Sequence, residues 1–169
     1  MKKKTANIIF LIISGLFVNI TPGQSLKTVA FSFASFDVLN NNANSGEWRI
    51  ELRSERENKY YSPFGGIMVN DQGALYFYAG LFYNFNITEN IIVTPSFAPG
   101  LYKKGYSKDL SFIIEFRSQI ELSYKFRNNS RIGLSFNHIS NGSLGDSNPG
   151  VESFAFTYIV PLTKVFGFI

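Results

Sequence analysis

From Phe112 to Arg127 the chain reads FIIEFRSQIELSYKFR. Its even positions are Phe112, Ile114, Phe116, Ser118, Ile120, Leu122, Tyr124 and Phe126, and from Glu115 onward its odd positions are Glu115, Arg117, Gln119, Glu121, Ser123, Lys125 and Arg127. A period of two with one apolar and one charged face predicts a β-strand. Trp48, Ile50 and Leu52 alternate in the same way with Arg49, Glu51 and Arg53. The first run is too long for an ordinary sandwich strand. A soluble sheet would bury the apolar face and wet the charged one; a membrane barrel reverses this, turning the apolar face to lipid and pairing charges inside.

The same patterning predicts strands over 28–39, 47–55, 64–69, 74–86, 91–102, 112–127, 131–140 and 151–162, an even set of eight. Turn signals separate them: NNNANSG at 40–46, NDQG at 70–73, ITEN at 87–90 and RNNS at 127–130. Several runs reach the roughly 9 to 11 residues that a tilted transmembrane strand needs. The expected fold is therefore all-β, an eight-stranded antiparallel transmembrane β-barrel, with a soluble exported β-domain as the alternative.

The N-terminus bears on that choice. Lys2, Lys3 and Lys4 precede the apolar stretch NIIFLIISGLFV at 7–18, which is of signal-peptide length, and Thr21-Pro22-Gly23 offers small residues near a cleavage point. The expectation is a signal peptide over 1–23, removed on Sec export, and a barrel over 24–169; the alternative is an N-terminal membrane anchor. Losing those three lysines leaves thirteen basic against twelve acidic residues, so the net charge falls from +4 to +1 and points to no acidic partner. Aromatic residues form 17% of the chain, and clusters such as YFYAGLFYNF at 76–85 suit membrane interfaces and not a nucleic-acid site. With no Cys and one His, thiolate and multi-histidine metal sites are excluded. No cofactor is expected. Export, alternation and aromatic content together place the protein in the outer membrane of a Gram-negative bacterium.

The single histidine lies in NHISNGSLGDSNPGVE, 137–152. In RIGLSFNHIS, Ile132, Leu134 and Phe136 define the apolar face, and the pleat carries His138 and Ser140 onto it. Glu152 shares its face with Phe154, Phe156 and Tyr158 on the next strand. Three polar groups thus project from a surface where such groups are costly. Pairing of the two strands as a hairpin brings Glu152 towards His138. Together they compose a serine-hydrolase arrangement, with Ser140 as nucleophile, His138 as general base then acid, and Glu152 orienting the imidazole. The Asn148 side chain and backbone N–H groups around Asn141, Gly142 and Ser143 are the candidate oxyanion donors. Taken alone, H-x-S also suits an interfacial histidine beside a turn serine.

The run His138-x-Ser140-Asn141, followed by Asn148-Pro149-Gly150 and Glu152, resembles the lipid A 3-O-deacylase (PagL-like, acyloxyacyl hydrolase) family. TPSFAPGLYKKG at 94–105 and IEFRSQIELSYKF at 114–126 extend the similarity over roughly 74–162. The resemblance implies an outer-membrane barrel with its active site on the outer wall, hydrolysing the acyl ester at position 3 of lipid A. The family pattern has a glycine three residues after the nucleophile as a backbone oxyanion donor, where this chain has Ser143. The implied substrate is lipid A or lipopolysaccharide, met by a membrane-embedded monomer or homodimer. A phospholipase using the same triad and a non-catalytic barrel are the competing readings. Lys103, Lys104 and Lys108 suit either lipid A phosphates or a solvated loop. Glu51, Glu115, Arg117 and Glu121 are expected as lumen ion pairs, and the chain ends GFI instead of on an aromatic residue.

Overall fold

A computed structural model describes residues 28–40, 44–55 and 61–166. The expected signal segment 1–23 and the terminal GFI lie outside the described residues. The strands are β1 (Thr28–Phe36), β2 (Ser45–Arg53), β3 (Ser62–Asn70), β4 (Leu75–Phe82), β5 (Phe85–Asn86), β6 (Ile91–Lys103), β7 (Ile114–Lys125), β8 (Arg131–Ser140) and β9 (Val151–Pro161). A short helix, α1 (Leu162–Phe166), follows β9.

Neighbouring strands pair antiparallel, and β1 pairs with β9 from Thr28↔Pro161 to Phe36↔Ser153, which closes the sheet. β4 and β5 are two pieces of one stave: Phe82↔Ser96 and Phe85↔Val93 continue a single register against β6. The expected strand 74–86 is broken opposite Pro95, which accepts the Tyr83 N–H at 3.1 Å but has no N–H to return. Eight staves result, so the barrel expectation holds. The first stave stops at Phe36, short of the expected residue 39, because Asp37 turns at φ 57°.

Burial shows which face is which. Phe31, Phe33, Trp48, Ile50, Leu122, Leu134, Phe154 and Phe156 are exposed, whereas Glu47, Arg49, Glu51, Arg53, Arg117 and Glu121 are buried. A soluble sheet cannot bury its charges and present its large apolar side chains; a barrel in lipid does both. Inside, Arg53 binds the Glu121 carboxylate through two bonds of 3.1 and 2.9 Å and Glu51 through two of 2.9 and 2.7 Å. Arg117 donates to Glu51 at 2.9 Å, Arg49 pairs with Glu47, and the Tyr78 hydroxyl donates to Glu51 at 2.9 Å. Bidentate, multiply bonded pairs of this kind offset the desolvation of buried charges. Glu115 departs from the expectation: it is fully buried, and neither carboxylate oxygen accepts a hydrogen bond from a described residue.

Two of the loops at the β8–β9 end, 104–113 and 141–150, are ten residues long, while the opposite end carries the tight turns 87–90 and 126–130 and both β1's start and β9's end. Long loops mark the extracellular end of an outer-membrane barrel.

Candidate active site

His138 and Glu152 are direct cross-strand partners on β8 and β9. At the rim end of an antiparallel pair, opposed Cβ atoms sit about 5 Å apart, within reach of an imidazole and a carboxylate. The side chains meet with His138 Nδ1 2.8 Å from Glu152 Oε1. With Nδ1–H donating to the carboxylate, the Nε2 lone pair is left free to accept a proton. Both groups open to the outside of the barrel, with side-chain exposures of 44% and 23%. Their placement at the rim and their mutual bond reduce the cost of polar groups on the lipid-facing wall.

Ser140 follows on the same face of β8, one pleat nearer the extracellular end. Its hydroxyl bonds no described residue, and neither does His138 Nε2. The structure therefore assembles the His138–Glu152 half of the expected trio and sets Ser140 beside it with its hydroxyl uncommitted.

Gly150 was not singled out by the spacing argument beyond its place in the turn. It holds φ 58°, and a Cβ built there would fall 2.7 Å from His138 Cε1 and 3.5 Å from Nε2. The imidazole thus lies edge-on against bare backbone, with its Cε1–Nε2 edge turned towards the residue preceding β9. The sequence signal available was the glycine two residues before Glu152 and nothing more specific.

The loop after Ser140 is tightly organised. Leu144 N–H donates to Asn141 O at 3.1 Å across Gly142 (φ 60°) and Ser143 (φ 65°), the positive-φ pair of a type I′ turn. The Asn141 amide group donates to Leu110 O and Ser147 O, each at 2.8 Å, tying this turn to the 104–113 loop. Asn141 N–H is itself taken up by Asn148 Oδ1 at 3.0 Å. That bond fixes the Asn148 amide with its oxygen inward and its Nδ2 free. Gly142 and Ser143 keep backbone N–H groups that no described residue accepts. Of the four candidate oxyanion donors, Asn141 N–H is committed, while Asn148 Nδ2 and the Gly142 and Ser143 amides remain available.

Two of the three candidate phosphate-binding lysines are engaged within the protein. Lys108 bonds buried Asp37 at 2.7 Å, and Lys104 bonds Asp109 at 2.6 Å. The Lys104 ammonium and the Ser111 N–H hold the exposed Asp109 carboxyl below the usual carboxylate range. Lys103, at the end of β6, is exposed. Among the described residues no group of three or more His, Asp or Glu side chains is placed to hold a metal ion.

A closed, eight-staved barrel with charges inside, apolar side chains outside and a polar cluster on its outer wall defines an outer-membrane protein whose candidate chemistry faces the lipid. A family model described as lipid A 3-O-deacylase (PagL) matches residues 28–161. The chain belongs to that family, and its place is the outer membrane. No curated protein matches it in sequence. Among solved structures, the outer membrane enzyme PagL superposes with a TM-score of 0.65 at 16% identity, covering 80% of this chain and 99% of that one. Neisserial surface protein A gives 0.60 at 13% identity, over 82% and 99%. A de novo designed transmembrane β-barrel gives 0.54 at 10%, over 81% and 98%. These likenesses are likenesses of fold.

Proposed function

We propose that this protein removes the ester-linked acyl chain at position 3 of lipid A by a Ser140–His138–Glu152 mechanism passing through an acyl-enzyme. The observation that carries the reading is the 2.8 Å His138–Glu152 bond on the lipid-facing wall, beside Ser140 and within a chain of the deacylase family. A lipid embedded in the outer leaflet reaches this wall laterally, its sugar at the level of the rim and its chains alongside the barrel.

As Ser140 Oγ attacks the ester carbonyl carbon, its proton passes to His138 Nε2. Glu152 holds Nδ1–H and stabilises the imidazolium that forms. The negative charge on the former carbonyl oxygen is met by Asn148 Nδ2 and by the free amides of the Gly142–Ser143 turn. Ser143 holds the left-handed conformation that a glycine adopts easily, so the position at which the family pattern has glycine is filled by a serine in glycine-like geometry. Collapse of the tetrahedral intermediate breaks the bond to the sugar oxygen, which takes the proton from Nε2, and leaves the acyl group on Ser140. Water then attacks the acyl-enzyme, His138 takes its proton and returns it to Ser140 Oγ, and the free fatty acid departs.

The test is fatty-acid release by purified barrel in detergent, from lipid A and, separately, from phospholipid containing no lipid A. Release from lipid A alone, lost by at least about 10³-fold in Ser140→Ala, is the expected result. Equal release from phospholipid would replace this reading with a phospholipase; no release from either substrate by folded protein would leave a non-catalytic barrel.

A further inference from the structure

Glu115 is a buried titratable group that the reaction above leaves unused. The β7–β8 register runs to Phe116↔Ser140, so its next position sets Glu115 opposite Asn141, both on the inward face, with Cβ atoms about 5 Å apart. Both residues are fully buried. Among the described residues neither Glu115 carboxylate oxygen has a hydrogen-bond partner, and neither has Asn141 Oδ1. Acceptors thus face one another across this strand pair with no donor between them. On the β6 side Glu115 pairs with Gly100, where a Cβ would stand 2.5 Å from Tyr76 Cε2, so a ring lies against bare backbone beside the carboxyl. The Tyr76 hydroxyl donates to Ala98 O and to the Glu115 backbone O at 3.2 and 3.0 Å. The Tyr102 hydroxyl donates to Lys108 O at 2.9 Å and lies in the field of Glu47 and Asp109 as well as Glu115. Arg117, one inward position along β7, gives its guanidinium to Glu51 and Gln119. From β8 and β9 the buried neighbours of Asn141 are the uncharged Ile139 and Val151. An ionised Glu115 would be a buried charge with neither a cation nor a donor to compensate it, whereas a neutral acid needs only one acceptor.

We infer that Glu115 is a positioning residue for the deacylation: as a neutral acid it donates its O–H to Asn141 Oδ1 and so holds the amide that orders the oxyanion loop. This rests on the deacylase reading with Ser140 as nucleophile. One proton satisfies Asn141 Oδ1 and removes the buried charge together. Asn141 follows Ser140 directly and binds the loop from two sides: its Nδ2 donates to Leu110 O and Ser147 O, and its N–H donates to Asn148 Oδ1. Asn148 Nδ2 is the side-chain donor assigned to the developing oxyanion. Ionising Glu115 removes the donor and sets a carboxylate against an amide oxygen. The Asn141 amide relieves that contact only by turning its NH2 towards the carboxylate, which withdraws it from Leu110 O and Ser147 O. The segment carrying Asn148 then loses its anchor, and the oxyanion donor loses its aim. The lipid meets the outer wall and touches none of these inward groups, so the effect falls on kcat and not on KM. Activity is therefore retained while Glu115 is protonated and lost as pH rises through its ionisation.

The test uses purified, detergent-folded barrel and follows lipid A deacylation from neutral to alkaline pH, with folding checked at each pH. Wild type is expected to lose at least about tenfold in kcat on the alkaline side with KM little changed. Glu115→Gln presents a permanent N–H donor to Asn141 Oδ1 and is expected to work at neutral pH and to lack that alkaline fall; Glu115→Ala, with no donor, is expected to be slow throughout. Infrared spectra at neutral pH are expected to show a protonated-carboxyl carbonyl band in wild type that Glu115→Gln lacks and that fades with rising pH in step with activity. An alkaline fall shared by Glu115→Gln or missing from wild type, or the absence of that band, would overturn the inference and leave the deacylase reading intact. No cleavage of lipid A by folded wild type, or undiminished cleavage by Ser140→Ala, would overturn the deacylase reading and this inference with it.

Discussion

Replacing Gly150 with alanine perturbs the site through one atom. The new Cβ would stand 2.7 Å from His138 Cε1, against ordinary van der Waals separations near 3.5–4 Å between carbons. The ring, held at its other edge by the 2.8 Å bond to Glu152, must move by roughly 1 Å, and a displacement of that size at a reacting group costs on the order of 10²-fold in rate. The φ of 58° adds about 1–2 kcal/mol of backbone strain. A control separates the two effects. Gly73, in the β3–β4 turn, has φ 79° and open space where a Cβ would stand, with nothing within 4 Å, so Gly73→Ala carries the strain without the collision. Both variants should lose similar stability, followed by thermal unfolding in detergent. Only Gly150→Ala should lose about two orders of magnitude in kcat/KM on lipid A. Activity in Gly150→Ala within twofold of that in Gly73→Ala would refute the argument that bare backbone at 150 seats the imidazole.

Glu152→Gln keeps the shape of the side chain but offers no charge to the imidazolium; kcat should fall by roughly 10²–10⁴-fold with KM little changed. Asn148→Ala removes the free amide donor and should lower kcat by about 10²-fold or more in the same assay. Ser143→Gly relieves a positive φ at a non-glycine residue and should leave activity intact while raising stability by about 0.5–1 kcal/mol in denaturant titrations. The lumen is filled by the Arg53–Glu51–Glu121 and Arg117 pairs, so purified protein in planar bilayers should show no single-channel conductance.

The fold was legible because a two-residue period has one physical meaning when it runs for twelve or more residues. Once Phe112–Arg127 is read as a strand, the charged face of Glu115, Arg117 and Glu121 must go inside, and the same rule puts His138, Ser140 and Glu152 outside. Pairing of His138 with Glu152 followed from hairpin order alone. What the pattern could not supply depends on three-dimensional neighbours. Pro95 interrupts the β4–β5 stave because it lies opposite Tyr83, a register no local rule reveals. Lys104 and Lys108 look alike in sequence, yet one meets a partner five residues away and the other a buried Asp37 seventy-one residues away. Glu115 carries the same alternation as Glu121, but only Glu121 faces an arginine that reaches it. Asn141 and Asn148 both read as turn residues; the bond between them decides which amide stays free.

Mass spectrometry of lipid A from a Gram-negative host lacking its own deacylase, expressing either this chain or Ser140→Ala with both barrels verified as folded in the outer membrane, tests the central claim most directly. The account predicts loss of one ester-linked hydroxyacyl chain with the wild type and intact lipid A with Ser140→Ala. Intact lipid A in both, or the same loss in both, would contradict it.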